Sequence, residues 1–186
     1  MYNFDDAKVE TGSNYKYITP GIEEVTITAV KADKNSLGNP VIDITVANNN
    51  NATCNNRYSL STTVKPGSTK SAWDITKNQL FELFIAAGNT EEKVKSKLAN
   101  IKSNEELAEA ASALIVGKRV RMKFKGEERP GKDGKSNWIL AKFAGSYFVE
   151  NISASPSKLR FNPEKDIKYL PKVENTASAA VEDWNV

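Results

Sequence analysis

Arg119, Arg121, Lys123 and Lys125 occupy every second position of one run, with Val120, Met122 and Phe124 between them. Successive side chains of a strand point to opposite faces, so the four cations line up about 7 Å apart on one face. Phosphates along a single nucleic-acid strand repeat at a comparable spacing. A positive groove that tracks them is the electrostatic half of single-strand recognition. The other reading is an exposed edge strand protected by its charge. The next run, Asn137 to Phe143, puts Trp138 and Lys142 on one face and Ile139, Ala141 and Phe143 on the other. A Trp beside cations is a surface on which a base can stack, worth about 1–3 kcal/mol; Trp is also a common core residue. Arg129, Lys132 and Lys135 fall in the turn-rich stretch between these runs, which holds Pro130-Gly131 and Asp133-Gly134. Lys34, in the loop between the first two runs, is a further candidate contact, and Arg57, which opens the third run, flanks the same path. Tyr15 and Tyr17, on either side of Lys16, either stack bases or staple the N-terminal segment to the domain.

Residue types that are missing exclude other chemistry. The 186 residues include no His and one Cys, Cys54. Structural zinc needs four Cys/His ligands, and Ser-His-Asp or Cys-His catalysis needs an imidazole, so neither is available. An intrachain disulfide is impossible with one thiol. Asp43, Glu127, Glu128 and Asp133 are the carboxylates left for a metal-dependent nuclease, and their spacing is not that of a site. The reading is therefore non-enzymatic, with no cofactor and no metal. Met1 to Glu10 carries Asp5, Asp6 and Glu10 and no apolar run, unlike a signal peptide, and no stretch suits a bilayer span, so a cytoplasmic location is expected.

The net charge of +3 conceals an asymmetry. Residues 118–172 hold fourteen bases against six acids, whereas 173–186 hold three acids and no base. Clustered Lys/Arg is the footprint of a polyanion partner.

Period-two patterning predicts strands over Ile22 to Val30 (Val25, Ile27 and Ala29 on the inner side), Val41 to Val46, Arg57 to Val64, from Lys118, and over Asn137 to Phe143. Tyr147 to Ile152 extends the last after a break at Ala144-Gly145-Ser146. The Asn-rich segment 48–56 reads as a flexible loop, with Cys54 incidental in it. Three short helices are predicted between, opening at a Thr76-Lys77-Asn78-Gln79 capping box, at Thr90 and at Ser103-Asn104-Glu105-Glu106. Five strands with a helical element between the third and fourth is the chain order of an OB-fold. The expected organisation is one mainly β OB-fold domain over 1–172, a five-stranded barrel with a helical insert at about 74–117 and a wrapping segment at 153–172. A small-residue linker and a flexible acidic tail follow at 173–186, the tail carrying Glu182, Asp183 and Trp184.

Pro20-Gly21-Ile22 through Ile44, Leu114-Ile115-Val116-Gly117-Lys118, the basic strand to Phe124, Trp138 to Phe143 and the tail together resemble a bacteriophage single-stranded DNA-binding protein of the OB-fold kind. The resemblance implies binding of single-stranded DNA without strong sequence preference in replication, recombination and repair. It also implies a tail whose acids and aromatic engage replication or recombination proteins, or fold back on the basic groove. The tail departs from that pattern in having only Glu182 and Asp183 before a Trp184 that is not terminal. Single-stranded RNA fits the same groove chemistry. The competing expectation is an OB-fold interaction or assembly module whose basic face meets an acidic protein.

Overall fold

The computed structural model describes residues 17–132, 134, 136–145 and 147–171. The chain is mainly β, with an open, largely antiparallel sheet and a few helices. β1 (Gly21–Lys34), β2 (Pro40–Asn48) and β3 (Thr53–Ser59) form a meander. α1 (Ala72–Ala86), α2 (Glu91–Leu98) and α3 (Asn104–Ile115) follow. β4 (Arg119–Pro130), β5 (Asn137–Phe143), β6 (Val149–Asn151), a single turn α4 (Pro163–Asp166) and β7 (Ile167–Lys168) complete the order. Among the described residues the sheet has seven strands, not the five expected, in the order β3-β2-β1-β4-β5, with β6 and β7 also paired to β4.

β4 is the axis of this arrangement. Val120, Arg121 and Met122 pair with β1 on one edge and β6 on the other. Beyond Phe124, β4 pairs with β5 on the β6 edge and with β7, in parallel, on the β1 edge. β6 therefore continues β5 along the same edge of β4, as the sequence suggested, after an excursion at 144–148.

Three local expectations change. The Asn-rich segment is a tight turn plus a strand. The Asn48 side chain accepts hydrogen bonds from the Asn50 and Ala52 N–H groups, and Asn51 takes φ 59°, which Asn tolerates. Residues 53–56 pair with β2, and β3 ends at Ser59, so Val64 lies outside it and is exposed. α1 begins earlier than Thr76. Ser71 caps it and Asp74 returns the bond to the Ser71 N–H, completing a capping box; Thr76 is buried and donates to the Ser59 carbonyl. In β1 a register shift between Ile27 and Ala29 exchanges the faces, so Val30 rather than Ala29 follows Val25 and Ile27 inward.

The core joins the inner sheet face (Ile27, Ile42, Ile44, Met122, Phe124) to the helices through Leu83, Phe84, Leu114 and Ile115. Gly126 is where three segments meet over one backbone. A Cβ there would lie 2.7 Å from Ile139 Cγ2, 2.8 Å from Pro20 Cγ and 3.1 Å from Ile167 Cγ1. Gly126→Val must push all three away. The expected cost is about 1–3 kcal/mol, the usual range for overpacking, read as a lower urea midpoint.

Candidate nucleic-acid interface

The predicted site residues fall into two groups. The first is the basic row. Arg119, Arg121, Lys123 and Lys125 do share the outward face of β4, but every one meets a carboxylate. Arg119 and Arg121 both reach Glu24, at 3.1 and 3.4 Å. Arg121 also holds Glu150 at 2.8 Å and donates to the Ile152 and Ala154 carbonyls. Lys123 lies 3.2 Å, and Lys125 3.9 Å, from Asp166. Asp166 is itself held by the Asn162 N–H. The segment after β6 thus lies along the cationic face, and Arg121 and Lys123 retain only 22% and 17% of their side-chain exposure. Arg119 and Lys125 stay about half exposed.

The second group surrounds the seam where β3 and β5, the two ends of the sheet, approach each other. Cys54 of β3, expected in a loop, is buried there, and its Sγ donates to the Ala141 carbonyl of β5 at 3.4 Å. Burial pushes its thiol up to about 11, so it stays protonated. Beneath the seam the Phe143 ring packs against Tyr58, Phe124 and Phe148 with centroids 6.3, 5.7 and 6.1 Å away. Above it lies a cleft of about 700 Å³ lined by Tyr17, Thr53, Asn55, Arg57, Trp138, Ile139 and Lys142, among others.

Four of the predicted residues therefore share one cleft. Trp138 is 50% exposed and Tyr17 68%. The Tyr17 backbone bridges to Thr53 of β3, as expected of a staple for the N-terminal segment, and its side chain is exposed. Arg57 forms a fork with Asp43 (Nε to Oδ1 2.8 Å, Nη2 to Oδ2 2.7 Å) and reaches Asp33 at 2.7 Å. Its guanidinium is held even more firmly protonated by the Asp43 hydrogen bond and charge. Lys142 pairs with Glu127, which also takes Arg129 at 3.0 Å. Those bonds, from Lys142 first, hold the Glu127 carboxyl below its ordinary range. Arg129 lies directly across the ladder from Trp138.

Lys34, at the end of β1, and Lys132, in the β4–β5 hairpin, are exposed and outside this cleft's lining. Tyr15, Lys135, Glu182, Asp183 and Trp184 lie outside the described residues. The partner carboxylates Glu24, Asp33, Asp43, Glu127, Glu150 and Asp166 were not among the predicted site residues. Glu24 and Asp43 had a sequence signal, since the alternation of the first two strands puts both outward. No family model matches the chain, and no curated protein matches it. No described helix is long and apolar enough to cross a membrane.

The row's ion pairs make its packing sensitive to acid. Burial pushes the Glu150 carboxyl up. The Ser157 hydroxyl, Arg121 and the Lys158 N–H outweigh it and bring the value to about 2, against 4.5 for a free Glu. A depressed folded pKa gives stability that is present above about 4.5 and is lost as pH falls toward 2. Asp166 is depressed too, with burial opposed by the Asn162 N–H, Lys123 and Lys125, and adds in the same direction. The urea midpoint should therefore hold near neutral pH and drop below about pH 4.5. Glu150→Gln should lower the neutral midpoint and flatten that acid limb.

Proposed function

We propose that this protein is a non-enzymatic single-stranded DNA-binding protein of OB-fold type, and that the seam between β3 and β5 is its binding cleft. The observation that carries this reading is the cleft's content: exposed Trp138 and Tyr17 with Arg57 and Lys142 at one groove between the sheet ends. Aromatic faces stack bases of any identity, and cations beside them meet the backbone, a combination suited to strands of any sequence. Strand order supports an OB-like arrangement, since β3 and β5, the two ends of the open sheet, approach each other at the Cys54 Sγ to Ala141 carbonyl hydrogen bond. Arg129, and Lys132 in the adjoining hairpin loop, extend positive charge from the cleft.

In this reading β4 contributes less than its sequence promised. Arg121 and Lys123 are anchors for the segment that crosses them, while Arg119 and Lys125 remain open enough to meet phosphates. The same neutralisation weakens the case for an acidic protein docking on that face. A role in phage replication, recombination and repair, and partner contacts through Glu182, Asp183 and Trp184, belong to the proposal as the resemblance implies them.

Fluorescence anisotropy with a labelled oligo-dT and a matched duplex tests it. The single strand should bind tightly at low salt, lose affinity steeply as salt rises, and outcompete the duplex. Trp138→Ala should weaken binding about 5- to 150-fold, the equivalent of about 1–3 kcal/mol, and Trp138→Phe should recover much of it. Lys142→Ala should make the salt slope shallower by about 0.7, one phosphate contact. Arg121→Ala should lower stability far more than affinity. Absence of low-salt binding to the single strand would sink the proposal.

A further inference from the structure

A second cleft, of about 750 Å³, opens in the helical insert and takes no part in the proposed DNA site. Trp73, Phe81, Leu98 and Ile101 are only partly buried there, on the rim of the core. An unfilled apolar surface of this kind marks a place where something docks. Its mouth carries Lys77, Lys95 and Lys102 against one acid, Glu105. Lys77 and Lys95 pair with Asp74 and Glu91. Lys102 makes no ion pair among the described residues; its backbone N–H donates to Glu106.

Of the two acidic ends of the chain, Met1 to Glu10 carries Lys8 among its acids, and the C-terminal one has the complementary chemistry without a base. Residues 173–186 hold three acids, no base, and the sequence Val181-Glu182-Asp183-Trp184-Asn185-Val186. Aromatic and aliphatic side chains beside paired acids suit an apolar cleft with a cationic mouth. Lys102 differs in this from the seam cations Arg57 and Lys142, which are paired with Asp33, Asp43 and Glu127.

Reach permits the contact within one molecule. The Leu170 N–H is fixed to Glu128, whose ladder partner is Ile139. From Ile139 to Phe143 is about 13 Å of strand. Shortly beyond, the Tyr147 N–H meets Glu82 of α1 at 3.2 Å, and the helix itself is about 10 Å across. The thirteen residues that follow 171, up to Trp184, span up to about 45 Å when extended.

We propose that residues 173–186 dock in cis into the α1–α2–α3 cleft, with Trp184 among Trp73, Phe81, Leu98 and Ile101 and with Glu182 and Asp183 at Lys102. This site is independent of the DNA reading, and its test uses no nucleic acid. The full chain carries isotope-labelled tryptophan, and its three indole N–H signals are assigned by single Trp→Phe variants. Trp184→Ala should shift the Trp73 signal and leave the Trp138 signal in place. Lys102→Glu, an exposed change that spares the core, should move the Trp184 signal most of the way to its position in a free 173–186 peptide. Lys142→Glu should leave it unmoved. A wild-type Trp184 signal coincident with that of the free peptide would overturn the proposal. So would a response to Lys142→Glu in place of Lys102→Glu, or a position that drifts on dilution, which would mean docking on another molecule.

Discussion

A strand with a cation at every second position can lie inside a sheet only if its neighbours deliver carboxylates to the same face. β4 imposes that condition, and much of the structure satisfies it. β1 brings Glu24 opposite Arg121, β6 brings Glu150, and α4 brings Asp166 to Lys123 and Lys125. These contacts also decide where the chain after β6 must run. A half-covered guanidinium or ammonium without a partner is costly to desolvate, so the segment that covers the row must carry acids and carbonyls in register with it. The basic patch is thus as much a fastening as a surface.

That distinction marks how far the sequence could be read. The alternation of Val120, Met122 and Phe124 with the four cations specified the strand and its faces, and both are as expected. The order of strands and helices was legible for the same reason, since a change of period from two to 3.6 is written locally. Less legible was anything that depends on register. Asp166 lies 43 residues from Lys123, and nothing in the spacing joins them. The Asn-rich segment misled because composition pointed to a loop, while the Asn48 side chain compresses the turn into a few residues and leaves Asn55 and Asn56 free to pair. The bulge in β1 exchanges two faces through one extra residue, which periodicity alone does not announce. Trp138 and Lys142 were picked out together on one strand face, Arg57 and Tyr17 apart from them; their common cleft emerged only where the sheet ends approach.

The meeting of those ends differs in kind from the rest of the sheet. Elsewhere strands are joined by ladders of backbone hydrogen bonds. Between β3 and β5 the join consists of a thiol on a carbonyl and an aromatic cluster under it. Such a join costs less to part than a ladder and can part locally while the core holds. A cleft along that line of the sheet can widen without disturbing β4.

The pairing of β1 with β4 also has a consequence for synthesis. Gly21 pairs with Phe124, and the residues between them form two further strands and all three helices of the insert. At about 5–20 residues per second, a ribosome needs about 5–20 s to deliver the partner of a strand it has already released. For that interval the nascent meander presents the β1 edge unpaired, with Glu23 and Glu24 upon it. Two adjacent carboxylates are poor company for another hydrophobic strand. The acid that later holds Arg121 thus also guards the edge while the chain is still being made.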